Sequence, residues 1–160
     1  MQISSYLNAM RDAAGLPSPA IIFDILLVLT FALHILLVNL VLGSLALIIW
    51  GKIKGSEYSL KLSSSLSRLL VISISWAIVL GVAPLLFIQV IYDPFWYTAN
   101  TLSALWALLF LVFIALGFTL LYLFYLRGGY EGKGNIFLVI LSGVLFLLAG
   151  IVMHSLAVTQ

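Results

Sequence analysis

Apolar and polar positions divide the chain into four long apolar runs, at about residues 20–50, 69–92, 102–126 and 135–158. Roughly 20 predominantly apolar residues cross the hydrocarbon core of a bilayer. Each run therefore predicts a transmembrane helix. The first holds the stretch FDILLVLTFALHILLVNLVLGSLALIIW (23–50), with one histidine, His34, near its middle. Lys52, Lys54, Glu57, Lys61 and Arg68, with Ser63, Ser64, Ser65 and Ser67 among them, predict a polar, serine-rich connection. Asp93-Pro94 closes the second run, and RGGYEGKG (127–134) predicts a turn. Asn135 is placed to cap the fourth helix. Pro84 lies inside the second run and lacks a backbone donor, so a kink is expected near 81–84.

Ahead of the first run, Ile3, Tyr6, Leu7 and Met10 recur at helical spacing between polar residues. They suit a short helix lying in the membrane interface, and a loose polar N-terminus fits them equally. Gly15, Pro17 and Pro19 then break the chain. A basic segment followed directly by an apolar core is missing, so this start does not read as a secretory signal. The expected fold is all-α: an integral membrane four-helix bundle with a short N-terminal interfacial helix, one transmembrane domain over residues 1–160.

Composition agrees. Hydrophobic residues make up 64% of the 160 and charged residues 8%, against about 25% charged in a soluble domain. The charge of +2 comes from few groups and leaves no basic footprint for nucleic acid. With no cysteine, thiolate metal sites, iron–sulfur clusters and covalent c-type haem attachment within the chain are excluded. Lys52, Lys54, Lys61, Arg68, Arg127 and Lys133 flank the first and third connections, and only Arg11 lies on the other side. The positive-inside rule then expects those connections in the cytoplasm and both termini outside; the localisation expected beside it is the cytoplasmic membrane of a prokaryote. Trp50, Tyr92, Trp96, Tyr97, Tyr122 and Tyr125 fall near span ends, as an aromatic belt would.

The polar inventory inside the spans is short: Asp24, His34, Asn39, Ser44, Ser73, Ser75, Gln89, Thr119, Ser142 and His154. It holds no carboxylate pair and no mid-membrane lysine or arginine, so proton pumping and hydrolysis lack their usual parts. Two histidines supply a zinc or copper site poorly. An intramembrane histidine is costly and is a functional candidate by default. His34 lies about 4–5 Å from the middle of its span and His154 about 10 Å from the middle of the fourth, both toward the outer side. Helix tilt of about 20° can close such a mismatch. The spacing permits both rings to face one haem iron without requiring it, and a haem can be held between helices of a bundle. Gly143, Gly150 and His154 share one helix face, where glycine lets a flat macrocycle or a packed helix approach. Met153 is adjacent, and a thioether is also a haem ligand type. Asn39 and Gly43 share a face with Ala32 and Ala46, which reads as the packing seam of the first span. A structural reading of His34 stands beside the functional one: a ring hydrogen-bonded to a carbonyl or serine of a neighbouring helix.

Two stretches carry a family resemblance. HILLVNLVLG (34–43) is a histidine followed by apolar residues and closing on Leu-Gly; LGVA (80–83) is followed by Gln89 and then Trp96-Tyr97. In this order they resemble the first four helices of the larger, haem-carrying subunit of the cytochrome bd quinol oxidases, with about residues 23–97 carrying the resemblance. The resemblance implies that His34 is a haem axial ligand. It places Gln89 where the family has a glutamate, and Trp96 at a tryptophan position. The acidic residues of the family's third helix have no match between 102 and 126, and its later helices, with a second haem's ligands and the quinol loop, have no counterpart here. His154 is no carried-over position and enters as second ligand from its depth and glycine face alone. The resulting expectation is a b-type cytochrome subunit, holding one or more haem b groups with His34 and His154 on iron and Gly150, Gln89 and Trp96 around them. It would pass electrons between membrane quinol and a c-type cytochrome or iron–sulfur partner on the outer side. Oxygen reduction by this chain alone is not expected, because no carboxylate relay is present. Other membrane subunits or self-association are expected, since the chain has no soluble domain. Two further readings remain: an anchor or assembly subunit of a respiratory complex without cofactor, and a small transporter, against which the lack of mid-membrane charge and of repeated broken helices weighs.

Overall fold

A computed structural model describes residue 15, residues 18–131 and residues 134–159. Five α-helices follow one another: α1 (Ala20–Lys54), α2 (Glu57–Ile91), α3 (Asp93–Leu102), α4 (Ala104–Leu126) and α5 (Ile136–Thr159), with a 3₁₀ turn over Gly129–Glu131. No strand occurs among the described residues. Four of the helices, all but α3, are long and apolar enough to cross a membrane, as in a multi-pass all-α bundle. The interfacial helix expected near the N-terminus lies outside the described residues.

α1 and α2 form the first hairpin, and α4 and α5 the second. The first hairpin corrects an expectation. Its link is only Gly55-Ser56, and the serine-rich segment is helix. Gly55 takes φ +67°, a left-handed conformation that favours glycine, and donates its N–H to the Gly51 carbonyl at 3.1 Å. Ser56 then caps α2, its Oγ accepting the Ser59 N–H at 3.3 Å. Serine is polar, yet its hydroxyl can be satisfied inside a helix by a carbonyl one turn back. Ser63 donates to the Ser59 carbonyl at 2.9 Å and Ser67 to the Ser63 carbonyl at 2.7 Å. Ser59, Ser63 and Ser67 recur every fourth residue and are buried. They make a narrow stripe on which α1 packs closely. Ser59 also donates to the Gly51 carbonyl at 3.0 Å, and Ser63 to that of Ile48 at 3.4 Å.

The seam of α1 also differs from the expected one. Val41, Ser44, Leu45, Ile48 and Gly51 are buried, whereas Ala32, Asn39, Gly43 and Ala46 are exposed. Asn39 satisfies one amide N–H on its own helix, donating to the Ile35 carbonyl at 2.9 Å, and a Cβ at Gly43 would meet nothing within 4 Å. Small side chains permit close packing, but the larger apolar face opposite α2 carries the contacts.

The second hairpin closes around Gly117, whose missing side chain admits the Phe146 ring, and Ser142 donates to the Gly117 carbonyl at 2.8 Å. Asn135 caps α5 as predicted, its Oδ1 accepting the Phe137 N–H at 2.9 Å. The hairpins join through one core of Val41, Leu45, Ile48, Leu70, Ile74, Leu121, Phe124 and Val139. All of these lie toward the end holding Gly55 and the 127–135 connection, here the hairpin end. Lys52 reinforces it, donating to the Gly134 carbonyl at 2.7 Å with its ammonium 5.4 Å from the Phe124 ring centre. At the opposite end, no residue of α1 before Val41 and none of α4 before Gly117 is buried. There α3 spans the gap between α2 and α4.

Candidate functional site around His34

His34 sits on the α2-facing side of α1, two turns from the shared core. It is half-buried, and Nδ1 lies 2.8 Å from the Ala77 carbonyl of α2. A carbonyl oxygen only accepts, so Nδ1 carries the proton, and in the neutral ring Nε2 holds the lone pair. Four residues along α2, Gly81 makes room for the ring. A Cβ there would come within 2.7 Å of Cε1, 2.9 Å of Nδ1 and 3.4 Å of Nε2. Pro84 follows within α2, buried; its ring nitrogen offers the Leu80 carbonyl no hydrogen bond. The α2 residues shown against His34 are thus Ala77 and Gly81, residues with little or no side chain.

The other candidates are distributed rather than gathered. Gln89 lies eight residues beyond Gly81, about 12 Å along the helix, too far to touch the ring. Its Nε2 donates to the Tyr97 hydroxyl at 2.7 Å, which ties the end of α2 to α3. Trp96 is half-buried in the first turn of α3, its N–H bonded to the Tyr92 carbonyl. His154 on α5 is exposed, and its ring makes no hydrogen bond among the described residues. Gly150 is exposed, and a Cβ at Gly143 or Gly150 would meet nothing within 4 Å. The face of Gly143, Gly150 and His154 therefore lies off the α4–α5 seam, which runs through Val139, Ser142, Phe146 and Ala149. No hydrogen bond joins the two histidines, and among the described residues no three of His, Asp and Glu gather as metal ligands.

The Nδ1–H···O=C bond of His34 is an arrangement that a ligand imidazole can use. A metal-bound imidazole typically donates its second N–H to a carbonyl or carboxylate, which fixes tautomer and orientation. Ala77 supplies that acceptor here. His154 keeps both ring nitrogens uncommitted among the described residues. Sequence reasoning found His34 but missed Ala77 and Gly81, which contribute a backbone oxygen and an absence. Their signal was the four-residue spacing of small residues on α2.

Comparison with protein families, with characterised proteins and with solved structures finds no match to this chain.

Proposed function

We propose that the chain is a b-type haem electron-transfer subunit of a membrane oxidoreductase complex, similar to a reduced cytochrome bd-type core. The observation that carries this is His34: an intramembrane imidazole with Nδ1–H engaged by a backbone carbonyl and, among the described residues, its Nε2 lone pair uncommitted. In this reading His34 ligates iron, and His154, from α5 or toward a neighbouring subunit, is the second ligand. Bound haem supplies one-electron chemistry. The chain's own contribution is to hold the ligand nitrogen in one tautomer within an apolar, low-dielectric seam. Gln89 and Tyr97 serve a quinone head group at the α3 end: Tyr97 accepts from Gln89 and retains its hydroxyl proton for a quinone carbonyl. Electrons pass between membrane quinol and a c-type cytochrome or iron–sulfur partner.

A second reading has its own supporting observation. The His34 ring lies against Gly81 and is bonded to Ala77, which is what a purely interhelical histidine in an anchor or assembly subunit would do.

Absorbance of protein purified from haem-replete cells separates the two. The haem reading expects a Soret band and redox-dependent visible bands, lost in His34→Ala. A folded, colourless wild type refutes it in favour of the anchor. A low-spin spectrum unchanged in His154→Ala removes His154 as second ligand.

A further inference from the structure

A histidine on a helix surface ordinarily samples several rotamers and, when neutral, two tautomers. A useful ligand nitrogen must be fixed in both respects. Around His34 two features of α2 do this by different means. The Ala77 carbonyl accepts from Nδ1 at 2.8 Å and so selects one tautomer. The space at position 81 admits the ring edge, since a Cβ there would overlap Cε1 and Nδ1, the atoms beside that hydrogen bond. Ala77 and Gly81 are one helical turn apart on one face, so both act on the same edge of the ring.

We propose that Gly81 is a positioning residue for His34: the bare backbone at 81 lets the ring reach the Ala77 carbonyl, and this locks the Nδ1–H tautomer and leaves Nε2 as the ligand nitrogen. Any side chain at 81 moves the ring away from α2 and breaks the bond to Ala77. A methyl is enough, because ordinary contact needs about 3.4 Å or more and the added carbon starts at 2.7 Å. Glycine is otherwise a poorer helix former than alanine, and here the histidine gives it a reason. The tautomer lock stands without any haem; only the ligand role of Nε2 rests on the proposed function.

The test compares wild type, Gly81→Ala and Gly43→Ala in detergent, with ¹⁵N-labelled histidine and His154→Gln as common background. Gly43 is the control because the same methyl meets nothing there. Solid-state ¹⁵N spectra should show His34 as Nδ1–H in wild type and Gly43→Ala, and as a mixture or as Nε2–H in Gly81→Ala, at equal helical content by circular dichroism. Haem titration of the same proteins without the His154 change should show affinity falling about 10- to 100-fold in Gly81→Ala, the range for loss of a supporting interaction behind a metal ligand, and unchanged in Gly43→Ala. An unchanged tautomer, or an unchanged haem affinity, in Gly81→Ala overturns the proposal. If wild type binds no haem, the proposed function fails while the tautomer comparison still decides the lock. If Gly81→Ala does not fold, the wild-type spectrum decides: Nε2–H refutes the lock and Nδ1–H supports it.

Discussion

Replacing Gly51 by alanine sets two known effects against each other. Alanine is the better helix former by up to about 1 kcal/mol, so propensity alone favours Gly51→Ala. The hairpin seam opposes it. The added Cβ would fall on Ser63 Oγ and 2.8 Å from the Ser59 carbonyl oxygen. Ser63 can rotate, but the carbonyl belongs to the α2 backbone, so the helices must separate by about half an ångström or more to restore ordinary contact. Forced packing of this kind costs about 1–3 kcal/mol. The Ser59 bond to the Gly51 carbonyl, 3.0 Å long, is weakened as well. Such interhelical bonds average only about 0.6 kcal/mol in membranes, so sterics dominate. Gly43→Ala carries the same propensity gain with no contact, and the gain largely cancels between the two variants. Gly51→Ala should therefore be less stable than Gly43→Ala by about 1–3 kcal/mol. Unfolding in mixed micelles by stepwise addition of a denaturing detergent, followed by tryptophan fluorescence, reads the difference. Gly51→Ala equal to or more stable than Gly43→Ala would refute the close-packed seam.

Two further outcomes follow from the hairpin end. Lys52→Met removes the donor to the Gly134 carbonyl and the ammonium near Phe124; hydrogen bonds to charged groups are worth about 1.5–3 kcal/mol, so the 127–135 connection should be cleaved several-fold faster by added protease, and an unchanged rate would count against the clasp. Because the chain has no cysteine, Lys54→Cys and Ser18→Cys give clean reporters of sidedness. An impermeant thiol reagent should label Ser18→Cys in intact spheroplasts and Lys54→Cys only after lysis; the reverse pattern would invert the orientation read from the lysine and arginine count.

The four spans were legible because each is an apolar run of sufficient length, and bilayer thickness does the rest. The segment from Glu57 to Arg68 was not, because charge and hydroxyl density resemble a connection. Only the spacing of Ser59, Ser63 and Ser67 marks a packed helical stripe, and its partner is set by the register of the hairpin. The same register hid Ala77 and Gly81: nothing in the sequence says which turn of α2 stands opposite His34. Small residues misled on α1, since Asn39 and Gly43 suit a seam that this chain places on Val41, Leu45 and Ile48. His34 stood out because one polar ring in a long apolar run is conspicuous, whereas its support consists of a main-chain oxygen and a missing methyl.

Ala77 and Gly81, which receive His34, lie on α2, joined to α1 by a two-residue link. This has a consequence for biosynthesis. Nascent chains emerge at about 5–20 residues per second, so the end of α2 is made about 3–14 seconds before the end of α5. Histidine, carbonyl and glycine are then already in register, while His154 has yet to be translated. The contact between the two helices of the first hairpin thus does not wait for the second hairpin, which adds its own packing only at the core shared by both.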